Sequence, residues 1–174
     1  MVPAGAGLLR GSGHTRTCRL HHPARRPAAP GRPGAVLIEY LLDTDTISHA
    51  VRGMGQVRGH LAQHPPSTLA LSSVTVMEIE FGLALAPAKR AAVEAALALW
   101  LPRVTVLEYS QGDARVTASI RAALKAQGQP IGPYDLLNAG MALARGLTLV
   151  THNGREYRRV AGLQVADWVD DELA

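Results

Sequence analysis

Cysteine is almost absent from this chain. A single cysteine among 174 residues excludes an intramolecular disulfide. Long apolar runs are also absent, because no continuously apolar stretch approaches the roughly 18 residues that a membrane-spanning helix needs. Both absences favour a soluble protein in a reducing compartment, so we expect a cytoplasmic location and no membrane partner.

Acidic side chains are missing from the first 34 positions, although this segment carries six arginines. The rest of the chain, residues 35–174, therefore holds twelve basic and fourteen acidic side chains. The sequence pI of about 9.7 is thus a property of the N-terminal segment. It gives no reason to expect that the folded part binds nucleic acid through a basic surface.

The N-terminal segment is rich in glycine, proline and arginine and has no apolar periodicity. Such a composition buries too little surface to offset the loss of chain entropy, so residues 1–34 are predicted to form a disordered basic tail. A transit peptide is disfavoured because serine is scarce and no amphipathic stretch is present. A true translation start near Val36 is an alternative explanation of the segment.

From residue 36 onward, short apolar runs alternate with longer helical stretches. The runs predict buried strands at residues 36–42, 69–71, 104–107, 147–150 and 163–165. The stretches between them predict helices at residues 44–51, 57–64, 73–86, 88–101, 113–127 and 134–145. Strands separated by helices predict one α/β domain over residues 35–169, with a central parallel sheet flanked by helices, and a C-terminal tail at residues 170–174.

Acidic residues gather where these hydrophobic runs end. They are Asp43 after the first strand, Glu78 after the second, Asp135 at the start of a late helix, and Glu156 with Asn153 after the fourth strand. Ligands of open parallel sheets collect at the carboxyl ends of the strands. Carboxylates brought together there repel one another unless a cation lies among them. The pattern therefore predicts a site for a hard metal ion with oxygen ligands.

Each of these acids also has a purely structural explanation. Asp43 could cap a helix, although Thr44 or Asp45 could perform that role instead. Asp135 lies near the start of its helix, where a carboxylate favours backbone N–H groups and the positive end of the helix dipole. Glu156 could pair with a neighbouring arginine on the surface. The convergence of the four acids favours a function for them.

Glu78 and Glu80 are distinguished by the helical period. Two positions along a helix correspond to a rotation of about 200°, so the two carboxylates point to nearly opposite sides. With Val74, Met77 and Phe81 predicted to face inward, Glu78 lies on the flank of the apolar stripe. Glu78 is therefore the candidate site residue, and Glu80 is expected to face solvent.

Four segments carry these acids in order: LLDTDTI at residues 41–47, SSVTVMEIEFG at 72–82, QPIGPYDLL at 129–137 and VTHNGREY at 150–157. Together they resemble the four motif blocks of the PIN-domain ribonucleases, specifically the VapC-type toxins of toxin–antitoxin pairs. The resemblance runs from residue 37 to residue 168. It implies a PIN-like three-layer fold and an endoribonuclease that depends on Mg²⁺ or Mn²⁺.

The resemblance also implies a role for each acid. Asp43, Glu78 and Asp135 would be the metal ligands and, with Glu156, the catalytic residues, and Asn153 would complete the site. Such a site can activate a water and neutralise the charge that develops on the phosphate. The implied partners are an RNA substrate, a small cognate antitoxin whose C-terminal segment blocks the acidic groove, and a second copy of the chain.

The chain departs from the family pattern at three positions. It has Asp45 where the family usually has asparagine, Asn153 where aspartate is frequent, and Tyr157 where phenylalanine is usual. Asp45 adds negative charge beside the site, which either tightens metal binding or calls for a nearby arginine. The residue that fills the fourth acidic position is left open between Asn153 and Glu156.

Two other functions compete with the ribonuclease. Residues 40–47 also resemble the first motif of haloacid-dehalogenase-type phosphatases, in which Asp43 would be the nucleophile and Asp45 its acid–base partner. Such enzymes need a later strand that ends in paired acidic ligands, whereas here the fourth strand leads to His152 and Asn153. A non-catalytic protein-binding module is also disfavoured, because a buried acidic cluster without a metal destabilises the fold.

Overall fold

Short hydrophobic strands alternate with helices in the computed structural model, which describes residues 37–98, 100–170 and 172–173. The predicted disordered tail at residues 1–34 lies outside the described residues. The strands are β1 Tyr40–Leu42, β2 Leu69–Ser72, β3 Thr105–Leu107, β4 Thr148–Val150, β5 Gln164–Asp167 and β6 Glu172–Leu173. The first five overlap the predicted apolar runs, and β6 lies in the segment predicted as a C-terminal tail.

Seven α-helices of the described residues surround the strands. They are α1 Thr44–Arg52, α2 Val57–Gln63, α3 Ser73–Leu85, α4 Arg90–Leu97, α5 Gln111–Ala126, α6 Pro133–Arg145 and α7 Gly154–Tyr157. Helix α4 is shorter than the predicted span of residues 88–101, because 3₁₀ segments that contain proline flank it at Pro87–Lys89 and Leu101–Arg103. Among the described residues, the helices are all too short or too polar to cross a membrane.

The six strands form one sheet in the order β3-β2-β1-β4-β5-β6. The first five strands are parallel, as predicted, and only β6 runs antiparallel, beside β5. The chain runs outward from β1 through β2 to β3, and then crosses back to β4 on the other side of β1. A crevice forms where the connections diverge in this way, and it lies at the carboxyl ends of the strands. The crevice here lies between the ends of β1, β2 and β4.

Alternating side chains of the sheet face two apolar cores. Leu41 and Leu149 pack on one face, with residues of α5, α6 and α7. Leu42 and Val150 pack on the other face, with residues of α1, α2 and α4. Successive residues of a strand point to opposite faces, so the three-residue strands β1 and β4 each contribute to both cores. The result is the predicted three-layer α/β architecture.

The predicted orientation of α3 is partly wrong. Val74 is buried as expected, but Met77 is 40% exposed and Phe81 is 61% exposed. The buried residues of the helix are Val74, Thr75 and Leu83. Apolar residues occur all around α3, so a search for one apolar stripe cannot determine which face packs inward. The helix consequently exposes large apolar side chains.

Candidate active site

Asp43 connects the end of β1 to the start of α1. Its side chain accepts a hydrogen bond from the backbone N–H of Thr44 at 2.8 Å and is the N-cap of α1. Neither Thr44 nor Asp45 is the cap, in contrast to the alternative considered from the sequence. The side chain is also buried, at 4% exposure. Capping therefore fixes the orientation of the Asp43 carboxylate, which lies at the crevice because Asp43 directly follows β1.

Both oxygens of Asp43 accept further hydrogen bonds from distant parts of the chain. Asn138 Nδ2 donates to Oδ1 at 3.2 Å. Thr151 Oγ1 donates to Oδ2 at 3.0 Å, and the Tyr157 hydroxyl lies 3.2 Å from the same oxygen. These donors come from α6, from the end of β4 and from α7. Each of them is neutral, so the charge of Asp43 is solvated by dipoles but is not neutralised.

Glu78 and Glu80 occupy different surroundings, as the helical period predicts. Thr44 Oγ1 donates to Glu78 Oε2 at 2.7 Å, which ties α3 to the first turn of α1 beside Asp43. Glu80 is exposed and pairs with Arg90 at 2.9 Å. Ser72, at the end of β2, caps α3 by accepting from the N–H of Thr75. This cap places Glu78 in the second turn, on the side of the helix that faces the crevice.

Asp135 approaches the same place from α6. Pro133 occupies the first turn of this helix, which begins after Gly132. Asp135 Oδ1 lies 3.1 Å from the Tyr157 hydroxyl. The same hydroxyl contacts Asp43, so Tyr157 joins the two carboxylates.

Asp43, Glu78 and Asp135 line one open cavity of about 460 Å³. The residues around it are Asp43, Thr44, Asp45, Glu78, Asp135, His152 and Asn153. Four carboxylates and one side-chain amide oxygen are therefore available as hard ligands. Among the described residues that line the cavity there is no lysine or arginine.

The electrostatics of the cavity fit a bound cation. Burial raises the pKa of Asp43, and hydrogen bonds from Thr44, Thr151 and Tyr157 offset only part of this effect. Burial also raises the pKa of Asp135, and the neighbouring charge of Asp43 raises it further. Raised carboxylate pKa values mean that the ionised forms lack compensation within the protein. A divalent cation supplies that compensation, and the donor set matches the oxygen ligands that Mg²⁺ and Mn²⁺ prefer.

The remaining predicted site residues are placed differently. Asn153 lines the cavity. Glu156 is not among the lining residues; its Oε2 accepts from the backbone N–H of Gly132 at 3.4 Å. Its charge nevertheless contributes to raising the pKa of Asp135. Glu156 therefore affects the site through its charge near Asp135 and its hydrogen bond with Gly132, without lining the cavity.

A buried polar relay that sequence reasoning missed supports Asp43. Ser72 Oγ donates to Asn138 Oδ1 at 2.6 Å, and Asn138 in turn donates to Asp43. Asn138 is 1% exposed and lies one helical turn after Asp135 on α6. An asparagine at that spacing among apolar residues was the available signal, because a buried amide needs partners for both of its ends.

Two histidines lie near Asp45, one paired with it and one lining the cavity. His49 Nδ1 lies 3.2 Å from Asp45 Oδ1, and the rings of His49 and His152 are 5.3 Å apart. A hydrogen bond with Asp167 raises the pKa of His152. The guanidinium of Arg58, a basic residue of α2, donates instead to the last carbonyls of α1. Of the two alternatives for Asp45, a nearby arginine is not what the described residues show, since the basic side chain that pairs with it is His49.

Comparisons with known proteins agree with this geometry. The PIN domain family model matches residues 40–163. A tRNA(fMet)-specific endonuclease VapC of Salmonella typhimurium is 35% identical over 134 residues, which cover 76% of this chain and 99% of the relative. Ribonuclease VapC2 of Haemophilus influenzae is 31% identical over 136 residues, with 76% and 100% covered.

Solved structures lead to the same family. The chain resembles a structure of DNA-bound VapBC from Salmonella typhimurium with a TM-score of 0.69 and 33% identity, covering 76% of this chain and 99% of that one. A structure of VapBC-1 from nontypeable Haemophilus influenzae gives a TM-score of 0.65 and 29% identity, covering 75% and 98%. The haloacid-dehalogenase alternative is thereby set aside, and the chain belongs to the PIN domain family, among the VapC proteins.

Proposed function

We propose that this protein is a divalent-metal-dependent endoribonuclease that hydrolyses RNA phosphodiester bonds. The observation that carries the proposal is the convergence of Asp43, Glu78 and Asp135 on one cavity whose described lining contains no lysine or arginine. The naming of the relatives as ribonucleases and a tRNA endonuclease supports RNA as the substrate. The proposed metal is Mg²⁺, with Mn²⁺ as the alternative.

Two of the acids are proposed to hold the metal between them. Asp43 and Asp135 come from different elements, share Tyr157 as a hydrogen-bonding partner and line the same cavity. When bound there, a divalent cation would neutralise phosphate charge and increase the acidity of a coordinated water. Asn153 offers an amide oxygen at the rim, and Glu156 holds the start of α6 through Gly132.

Glu78 is proposed to position the attacking water and to complete the ligand set. Its Oε2 is held by Thr44, which leaves Oε1 to accept a proton from the water as it attacks phosphorus. The bond between phosphorus and the leaving ribose oxygen then breaks, and that oxygen takes up a proton from the solvent that enters the open cavity. Hydrolysis by this route needs no nucleophilic serine or cysteine.

The proposed partner is a small antitoxin whose C-terminal segment covers the acidic cavity. Structures of relatives contain VapBC complexes, which supports a protein of the VapB kind. Helix α3 exposes Met77, Phe81 and Leu85 and also carries Glu78. Exposed apolar patches of this kind mark protein interfaces, and a basic side chain of the partner would suit the cavity.

Pairing with a second copy of the chain, in the cytoplasm, is proposed from the family resemblance.

The test is cleavage of a labelled RNA by the purified full chain. We expect cleavage with Mg²⁺ that stops in EDTA and returns when Mn²⁺ or Mg²⁺ is restored in excess. Asp135→Asn should bind the RNA and fold but fail to cleave it. Cleavage that persists in EDTA would contradict the metal mechanism, and RNA or protein binding without any cleavage would favour the non-catalytic module.

A further inference from the structure

The hydroxyl of Tyr157 lies between the two carboxylates assigned to the metal. It is 3.2 Å from Asp43 Oδ2 and 3.1 Å from Asp135 Oδ1. A phenol carries one hydroxyl proton, so it donates to one of these oxygens at a time. Both carboxylates are nevertheless held within hydrogen-bonding reach of a single atom.

The position of that atom is fixed by the apolar core. Tyr157 is fully buried, with 0% exposure, and belongs to the cluster that contains Leu41 and Leu149 of the sheet. The ring therefore cannot move without disturbing the packing of β1 and β4. The buried ring therefore fixes its hydroxyl at the edge of the core, between Asp43, which follows β1, and Asp135 on α6.

We propose that the Tyr157 hydroxyl is a positioning group that sets the separation of the Asp43 and Asp135 carboxylates and thereby makes the site favour a small cation. This inference rests on the proposed function, because it takes those two acids as metal ligands. The hydroxyl donates to one of the two acids at a time and, because its ring is fixed in the core, keeps that acid close to the other before the cation arrives. Metal affinity then depends on a residue that need not touch the metal.

The choice between cations follows from their coordination. Mg²⁺ requires nearly ideal octahedral geometry with oxygen distances of about 2.0–2.1 Å. Ca²⁺ accepts six to eight ligands at roughly 2.3–2.6 Å in flexible arrangements. Without the Tyr157 hydroxyl, the separation of the Asp43 and Asp135 carboxylates becomes larger and more variable. Its affinity for Mg²⁺ should therefore fall more than its affinity for Ca²⁺.

The chain offers a matched control at Thr151. Its hydroxyl also donates to Asp43 Oδ2, at 3.0 Å, and it is as completely buried as Tyr157. It contacts Asp43 without contacting Asp135 in the described structure. Thr151→Val therefore removes a hydrogen bond from one carboxylate, together with the acceptor of the Asn153 backbone N–H. Tyr157→Phe removes the group that both carboxylates share.

The experiment is isothermal titration calorimetry of the full chain with Mg²⁺ and, separately, with Ca²⁺. We expect Tyr157→Phe to lower Mg²⁺ affinity by about 10- to 100-fold and Ca²⁺ affinity by clearly less. Thr151→Val should lower both affinities by a similar factor. Unchanged Mg²⁺ affinity in Tyr157→Phe, or equal losses for the two cations, would overturn the inference.

Two further measurements separate this inference from the proposed function. Asp43→Asn should lose Mg²⁺ binding; if it binds Mg²⁺ like the parent, the proposed metal site itself is wrong. If Asp43→Asn loses binding while Tyr157→Phe keeps it, only the role of Tyr157 fails. If Tyr157→Phe does not fold, the parent protein labelled with ¹³C at tyrosine Cζ provides the test. Addition of Mg²⁺ should shift the resonance of Tyr157 and leave that of Tyr134 unchanged. A Tyr157 resonance that does not shift would overturn the inference.

Discussion

Two buried aspartates in this protein have opposite electrostatic surroundings. Asp113, at 2% exposure, lies in the contact between α5 and α6, and Asp43, at 4% exposure, lies in the acidic cavity. Arg145 Nη2 is 2.7 Å from Asp113 Oδ2, and Arg145 Nε donates to the other oxygen at 3.1 Å. Ser110 completes a capping box with Asp113 at the start of α5. Among the described residues, the hydrogen-bond donors to Asp43 are all neutral.

The pKa values of the two carboxyls express this difference. Burial by itself would raise the pKa of Asp113, but hydrogen bonds from Arg145 and Ser110 outweigh burial and lower it to about 2. For Asp43, burial outweighs the hydrogen bonds from Thr44, Thr151 and Tyr157, and the pKa is raised. A buried acid that has its own cation is part of the architecture. A buried acid without one, at the end of a strand, indicates a place where a cation is brought in.

The largest expected effect separates the two aspartates by activity. Asp43→Asn should lower RNA cleavage by about 10³-fold and leave the metal-free fold as stable as the parent or more so, because the uncompensated charge is removed. Asp113→Asn should keep cleavage and lose about 3 kcal/mol of stability, because Arg145 is left without its partner. Initial cleavage rates in excess Mg²⁺ and urea denaturation in EDTA measure the two quantities.

The opposite results for the two aspartate variants would contradict the roles assigned to Asp43 and Asp113. If Asp113→Asn abolished cleavage at a temperature where it remains folded, the α5–α6 contact would belong to the site. If Asp43→Asn cleaved at the parent rate, the acidic cavity would not be the site of the reaction.

The next comparison contrasts the two glutamates of α3. Glu78→Gln should lower the cleavage rate by about 10²-fold, since Glu78 lines the cavity and is proposed to accept a proton. Glu80→Gln breaks only a surface pair with Arg90 and should change the rate little. The measurement is the initial rate over an Mg²⁺ titration for both variants. Equal losses would show that Glu78 has no special role in the cavity.

The sequence predicted the strands well, because they depend on short-range patterns. Of the four acids that it grouped together, Asp43, Glu78 and Asp135 line one cavity, whereas Glu156 does not line it. An apolar run of four to seven residues followed by Asp43 indicates a strand that ends in a polar crevice. The relative placement of Glu78 and Glu80 follows from helical geometry alone. Asn138 and Tyr157 were not assigned roles, because their partners lie 95 and 114 residues away from them at Asp43.

Helix α3 shows where sequence patterns cease to be sufficient. Its apolar residues lie on all sides, so the inward face is determined by the sheet and by α1, and not by the helix itself. Met77 and Phe81 consequently face outward. Asp43 shows the same limit in another way, because a cap and a candidate ligand have identical sequence patterns. The structure shows that Asp43 performs the first role, because it accepts from the N–H of Thr44, and that it also lines the cavity where the second role is proposed.

A third prediction tests the α5–α6 contact by packing. A Cβ added at Gly140 of α6 would overlap Thr117 Oγ1 of α5, and Thr117 is buried. Gly140→Ala should therefore cost about 3 kcal/mol of stability through overpacking. Gly82→Ala is the matched control, because an added Cβ there meets nothing within 4 Å and α3 gains helix propensity. Urea denaturation compares the two, and a Gly140→Ala variant as stable as Gly82→Ala would contradict the close approach.

The smallest expected effect is the dependence of stability on pH, which should have opposite signs at the two aspartates. The pKa of Asp113 is lowered to about 2 in the folded protein, so its contribution is present above the unfolded value of 3.8 and is lost as the pH falls towards 2. That contribution amounts to about 2 kcal/mol. The pKa of Asp43 is raised, so in EDTA its contribution is present below pH 3.8 and is lost as the pH rises through the folded value.

The difference in unfolding free energy between parent and variant, measured by denaturation in EDTA from pH 2 to pH 7, reports each aspartate separately. For Asp113→Asn, the deficit in stability should be largest near neutral pH and should shrink as the pH approaches 2. For Asp43→Asn, the parent should be relatively destabilised at neutral pH and should regain stability as acid protonates Asp43. Excess Mg²⁺ should reduce the penalty at Asp43 and leave the curve for Asp113 unchanged, because only the first carboxylate is proposed to lack a cation of its own. Curves of the same sign at both residues would mean that Asp43 is compensated within the protein, and the reason for placing a metal beside it would be lost.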